Sequence, residues 1–296
     1  MAENIIQMKS YYIVAPQYVE IIAGFRVLWK LAASLRERGY DAKVVLYNDI
    51  SKVFFTGDGQ SPWGIETIDA KDIDKDGVVV YPEIVDGNPL GVKTVARILL
   101  NKVNTFHKAN IDSSEIRFAF TKAFLMDDMT ERDVFYIPTV ETDLFKSDGS
   151  EDRTNKLVYF GKSATMRWNS ELIEKTKHLW ADAIEIKRGP QDRFPNTREK
   201  LAELMRSGYI LYTYDDTTAI IMEAAMCGCP VIVMTDRITE KEFNERALFM
   251  DGIGFGEEQK EHAEKTVKRA YKESLRQIKT FDKNLTKFIN RTQNAL

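Results

Sequence analysis

Apolar runs of four to six residues recur along the chain, punctuated by Gly, Pro or Asp and separated by stretches of helical period. This alternation constrains the fold more than any other feature, because strand and helix periods that take turns are the pattern of βαβ units, and such units build parallel sheets. Tyr11–Pro16 (YYIVAP) reads as the first strand. From Phe25 to Arg38, Val27, Leu28, Leu31 and Leu35 share one helical face, and Gly39 closes it as a C-terminal cap. Strands are expected at Ala42–Tyr47 and Val78–Tyr81, a helix from about Val92 to Leu100, and strands near Ile116–Phe120 and Val134–Ile137. After an acidic, aperiodic linker (Pro138–Asn155), the series resumes with strand Lys156–Gly161, helix Ser170–Leu179, strand Ala183–Ile186, helix Thr197–Arg206, strand Tyr209–Tyr212, helix Thr217–Met226 and strand Pro230–Met234. Glu257–Asn294 reads as one or two long polar helices.

A length of 296 residues with 44% hydrophobic content suits two compact domains. The expected division is an N-terminal Rossmann-like domain at 1–145, a C-terminal one at 146–275, and a last helix at 276–296 packing back on the first. Two doubly wound halves would face each other across a cleft, and open α/β sheets take ligands at the carboxyl ends of their strands. The net charge of −3 gives no global reason to expect nucleic acid as a partner. Locally the balance is uneven: from Lys260 onward ten Lys or Arg face four Asp or Glu, a net +6, leaving −9 for the rest. Cys227 and Cys229 are too close for an ordinary crosslink and too few for a four-ligand zinc site, so they read as small buried residues in a reducing cytoplasm. The first residues lack the features of a secretory signal, and no run of 18 apolar residues occurs. The expectation is a cytoplasmic protein, soluble or peripheral at the inner face of the membrane.

Residues 72–83 fit a calcium-loop pattern, with Asp72, Asp74, Asp76, Gly77 and Glu83 at the ligand and turn positions. The context opposes it: Val78–Tyr81 is strand-like and Pro82 precedes the last ligand, where a calcium hand needs a departing helix. A solvated acidic turn is the better account, and no metal site is expected.

Residues 209–234 carry the most information. Strand, acidic-threonine turn, helix, glycine stop and strand follow one another, and Thr217 or Thr218 could cap the helix so that its free N–H groups attract phosphate. Glu223, about 8–9 Å along that helix, suits a carboxylate accepting two ribose hydroxyls. EAAMCGCPVIV (Glu223–Val233) resembles the EA-x-A-C-G-x-P-V-I signature of the family-4 GT-B glycosyltransferases, and Asp215, seven residues intervening, stands where that family has the first acid of its E-x7-E pattern. Gly161-Lys162 and Arg167 match, with the basic types exchanged, the family's G-R and following lysine directed at the donor diphosphate. Arg188 is placed like family residues lining the nucleotide base.

The resemblance implies a GT-B enzyme that transfers a hexose-type sugar from a nucleoside diphosphate to a hydroxyl of a glycan or lipid-linked saccharide, with retention and no obligatory metal or other cofactor. It assigns Asp215, Lys162 and Arg167 to catalysis, and Glu223, Thr217, Thr218, Arg188 and Gly24 to the nucleotide and its phosphates. Gly24 stands in for the family's glycine pair after the first strand. Glu83 and Asn88, after the strand ending at Tyr81, and His107 are candidates for acceptor or sugar contacts. The same fold could instead serve a nucleotide-sugar epimerase or a non-catalytic nucleotide-sugar or glycan-binding module of a larger assembly.

Overall fold

The computed structural model describes residues 8–20, 22–105, 108–150, 152–189 and 192–295. Strand β1 (Tyr11–Ala15) is buried at every position, as a continuous apolar run should be when a parallel sheet is covered on both faces. Helix α1 (Ala23–Glu37) lays Val27, Leu28, Leu31 and Leu35 against one face, and Gly39 ends it at φ +84°. The chain then forms β2 (Ala42–Asn48), β3 (Val53–Phe54), β4 (Val78–Pro82), β5 (Thr94–Leu99) and β6 (Ile116–Ala119). Their order in the sheet is β3-β2-β1-β4-β5-β6, parallel except for the antiparallel edge strand β3. The topological switch point lies between β1 and β4.

Two expectations for this half are corrected. The segment from Val92 to Leu100 is not a helix but holds β5. Val92, Val95, Ala96 and Leu99 have helical spacing, yet Val78–Pro82 pairs in register with Thr94–Ile98, and that pairing overrides a local pattern compatible with either state. Val134–Ile137 makes a single bridge, Val134 to Ala119, rather than a strand; Phe135 and Ile137 are nonetheless buried in the core. Among the described residues no α-helix crosses from β4 to β5 or from β5 to β6. Instead Ile73, Val85, Leu90 and Val92, from loops, cover that face of the sheet. Arg97, fully buried, ties them down: it pairs with Glu115 at 2.7 and 2.8 Å, donates to the carbonyls of Pro82, Val85 and Gly87, and lies over the Tyr81 ring.

The second half contains β7 (Asn155–Tyr159), α2 (Lys162–Met166), α3 (Ser170–Lys175), α4 (Lys177–Trp180), β8 (Ile184–Glu185), β9 (Lys187–Arg188), β10 (Arg193–Phe194), α5 (Arg198–Ser207), β11 (Gly208–Thr213), α6 (Ile220–Met226), β12 (Val231–Val233), α7 (Glu240–Arg246), β13 (Ile253–Phe255) and α8 (Lys260–Gln293). Its five-stranded sheet is parallel throughout, in the order β13-β12-β11-β7-β8, so its switch point lies between β7 and β11. The expected helix Ser170–Leu179 is two short helices. It breaks at Thr176, whose hydroxyl bonds the Leu172 carbonyl at 2.6 Å and the Tyr214 hydroxyl at 2.5 Å.

The chain thus forms two α/β units with parallel sheets: Met1–Thr139 with Thr280–Leu296, and Val140–Lys279. The first boundary falls before 145 because Phe145, fully buried, packs in the second core. Helix α8 is a single helix of 34 residues; Ala263 and Ala270 pack in the second unit, while Leu285, Phe288 and Ile289 pack in the first. No helix among the described residues is long and apolar enough to cross a membrane. Cys227 and Cys229 are both buried, and burial pushes the Cys227 thiol up to about 12 and that of Cys229 further up.

Candidate functional site

The carboxyl ends of β7, β11 and β12 bring three loops of the second unit together. After β7 the chain turns at Gly161, φ +51°, where a Cβ would lie 2.4 Å from Asp215 Oδ2. Only glycine fits this turn, and the turn delivers Lys162 to Asp215. The Lys162 backbone N–H donates to Asp215 Oδ2 at 3.0 Å, its ammonium donates to Oδ1 at 3.3 Å and to the Thr217 carbonyl at 2.8 Å, and the Thr217 N–H donates to Oδ1 at 3.1 Å. The Lys162 side chain is 41% exposed, that of Asp215 only 2%. Asp215 is therefore a saturated anchor for Lys162 and the Thr217 turn. Its expected contact with a transferred sugar needs an open carboxylate, which this arrangement does not present.

Arg167 ends α2 in the left-handed region at φ +54°, with its side chain exposed to solvent. Asn169, two residues on and also left-handed, is buried and spans all three loops. Its amide donates to the Ser163 hydroxyl and the Tyr214 carbonyl, and its oxygen accepts from the Thr235 hydroxyl and the Asp236 N–H. Two non-glycine left-handed residues in three positions store strain, which the surrounding bonds hold in place.

Helix α6 starts later than expected. Ile220 is its first residue, Ala219 stands at the N-cap without a side-chain bond, and Thr218 Oγ1 accepts the Ile220 N–H at 3.3 Å. The expected start at Thr217 or Thr218 is thus two or three residues early, and Asp215 accepts the Thr217 N–H. Glu223 consequently lies about 4.5 Å along the helix rather than 8–9 Å. Its carboxylate is 2% exposed and accepts from Arg198 Nη2 at 3.1 Å; Arg198, also buried, donates to Glu141 at 3.1 Å and lies over the Phe145 ring. Burial disfavours the Arg198 cation, but the Glu223 and Glu141 carboxylates outweigh it and hold its pKa above the usual arginine value. Tyr159, hydrogen-bonded to Thr218, is pushed up to about 12 by burial and by the Asp215 charge. Arg188, on β9, contributes a positive field at Tyr159 and donates to the Pro195 carbonyl at 3.3 Å.

In the first unit, Gly24 is the second residue of α1, and a Cβ there would meet Leu100 at an ordinary 3.8 Å. The backbone there does not require glycine. Glu83 follows β4 at the switch point, is buried, and accepts the Leu100 N–H at 2.9 Å; burial raises its pKa to about 7. Asn88 accepts from the Tyr81 hydroxyl and donates to the Val92 carbonyl, both at 3.0 Å, so its side chain fastens the loop. His107 lies outside the described residues. Among the described residues no cluster of His, Cys, Asp and Glu is placed to hold a metal ion, and β4 occupies the part of the calcium-loop pattern where a helix would have to begin.

Sequence reasoning missed Asp216, Arg237 and Arg246. Asp216 is fully buried beside Asp215, and both arginines reach it. Arg237 could have been found from its place in the loop after the strand ending at Met234, since that end of a parallel sheet is where ligand groups gather. Arg246, at the end of α7, gave no such signal.

No protein-family model matches the chain, and no curated protein matches it in sequence. Among solved structures it is similar to the calicheamicin glycosyltransferase CalG4 (12% identity over 96% of this chain and 98% of that one, TM-score 0.48). It is also similar to the spinosyn forosaminyltransferase SpnP (14% identity, 97% and 96%, TM-score 0.45). A third is a putative UDP-N-acetylglucosamine 2-epimerase from Listeria monocytogenes (14% identity, 90% of each chain, TM-score 0.43). With every score below 0.5, the functional reading rests on the residues described above.

Proposed function

We propose that the chain is a GT-B glycosyltransferase that takes its donor, a nucleoside-diphosphate sugar, on the second unit. The observation that carries this reading is the placement of Lys162 at the β7/β11 switch point, held by Asp215, with Arg167 exposed five residues further on. Lys162 has a partly exposed side chain on a fixed backbone, so its ammonium can turn from Asp215 to a phosphate without rebuilding the loop. Two cations there would offset charge on a leaving nucleoside diphosphate, the group whose departure a glycosyl transfer must stabilise. Asp215 acts as a positioning residue in this scheme. Glu223, with Arg198 behind it, sits beneath the nucleotide, and Arg188 beside the base. The acceptor is a hydroxyl of a glycan or lipid-linked saccharide. A hexose-type sugar, retention of configuration and independence of metal follow from the family-4 resemblance alone.

The closed state of Asp215 and Glu223 favours a second reading, a module that binds a nucleotide-sugar or glycan without turnover; an epimerase is a third. Thermal stabilisation by UDP, GDP, ADP, CMP and dTDP, each with magnesium or EDTA, tests the donor site directly. A ligand at 100 times its dissociation constant adds about 2.7 kcal/mol. One diphosphate is expected to stabilise the protein in EDTA, and Lys162→Ala and Arg167→Ala each to weaken that binding by about 1.5–3 kcal/mol. Stabilisation without sugar transfer to any acceptor supports the binding module; release of free nucleotide without an acceptor supports the epimerase. No stabilisation by any nucleotide refutes the donor site.

A further inference from the structure

The turn after β11 holds a second charge arrangement that the diphosphate reading does not use. Asp216, with its side chain fully buried, divides its oxygens between two arginines: Oδ1 accepts from Arg246 Nη1 at 3.4 Å and the Thr217 hydroxyl at 2.6 Å, and Oδ2 accepts from Arg237 Nη1 at 3.3 Å and the Thr235 hydroxyl at 3.0 Å. A guanidinium has five N–H donors, and these bonds occupy one nitrogen of each. Arg237 lies over Trp168, 3.4 Å from the ring centroid, which fixes its plane. The buried Nε of Arg246 has no hydrogen-bond partner among the described residues. A structural latch between α7 and the β11 turn needs only one arginine on this carboxylate, and here two share it. The Arg237 and Arg246 side chains are 27% and 14% exposed, so they are partly desolvated yet reachable. Asp215 cannot supply the missing charge, because Lys162 already neutralises it. The cluster therefore carries one unbalanced positive charge, with spare donors, at the carboxyl ends of β11 and β12, next to the proposed diphosphate site.

We propose that Arg237 and Arg246 form an anion subsite for a carboxylate on the transferred sugar, so that the preferred donor is a nucleoside-diphosphate sugar acid. This rests on the donor reading above and adds the class of sugar. A single carboxylate matches the single excess charge, and the fork of a guanidinium matches its two oxygens. Asp216 is the positioning residue that holds both forks, and the Trp168 ring keeps Arg237 from swinging away.

The test compares dissociation constants of the full chain for paired donors, UDP-glucose with UDP-glucuronate and GDP-mannose with GDP-mannuronate, alongside UDP and GDP alone. Wild type is expected to bind the acid of the accepted pair about tenfold or more tightly than the neutral sugar, as a charged hydrogen-bonded pair should give. In Arg237→Gln and Arg246→Gln the ratio of the two constants should fall to near one. Arg237→Lys, which keeps the charge and loses the fork, should retain only part of the preference, and its melting temperature shows whether folding is intact. Equal binding of acid and neutral sugar by wild type, with the plain diphosphate still bound, overturns this proposal and leaves the donor site standing. A preference that survives both glutamine substitutions also overturns it. Failure of every nucleotide to bind overturns the donor reading and this subsite together.

Discussion

A Cβ at Gly161 would lie 2.4 Å from Asp215 Oδ2 and 2.7 Å from the Tyr159 ring, in a backbone region L-residues avoid. Gly161→Ala is expected to destabilise the second unit by about 1–3 kcal/mol and to push Lys162 off Asp215. Urea unfolding measures the first effect and nucleotide affinity the second. Glu83 makes a different prediction. Its folded pKa of about 7 lies above the ordinary 4.5, so the folded state holds the proton more tightly than the unfolded chain. The sign follows: its contribution is most favourable below pH 4.5, declines as pH rises to about 7, and then stays constant. The difference is roughly 3 kcal/mol at 1.36 kcal/mol per unit. Glu83→Gln, which can still accept the Leu100 N–H, should therefore be more stable than wild type at pH 8, with the advantage fading towards pH 4.5. Denaturant midpoints across that range check it. At this scale the sequence showed which residue types gather but not their allegiance. Asp215 and Glu223 read as open ligands because nothing in local spacing announces that Lys162 and Arg198, 53 and 25 residues away, would occupy them.

Elements were legible where one signal dominated. β1 and β4 are continuous apolar runs, buried at every position, and α1 has an unambiguous face and a glycine stop. β5 was misread because its apolar residues satisfy both periods, and only its partner strand decides between them. The late start of α6 was hidden for a related reason: Thr217 could cap a helix, but its hydroxyl donates to Asp216, and Thr218 Oγ1 accepts the Ile220 N–H instead. Helix α8 illustrates the reverse case, a polar helix whose few apolar residues matter greatly. Phe288 is fully buried, with ring centroids 5.2 Å from Phe135, 5.1 Å from Phe118 and 6.0 Å from Tyr11. Phe288→Ala is expected to lower stability by about 3–5 kcal/mol, measured as a fall in the urea midpoint of the first unit.

For the molecule as a whole, two parallel sheets could be read from the alternation of strand and helix periods. The absence, among the described residues, of crossover helices from β4 to β5 and from β5 to β6 could not. Their replacement by loops depends on Arg97, whose buried side chain gathers Glu115 and three carbonyls from across the fold, an arrangement invisible to any local window. The first unit also closes its core with the side chains of Leu285, Phe288 and Ile289, which the ribosome adds only after the entire second unit. At about 5–20 residues per second, the nascent first unit waits on the order of ten seconds or more with Tyr11, Phe118 and Phe135 uncovered. The second unit emerges during that interval and can fold first, so the order of completion runs opposite to the order of synthesis.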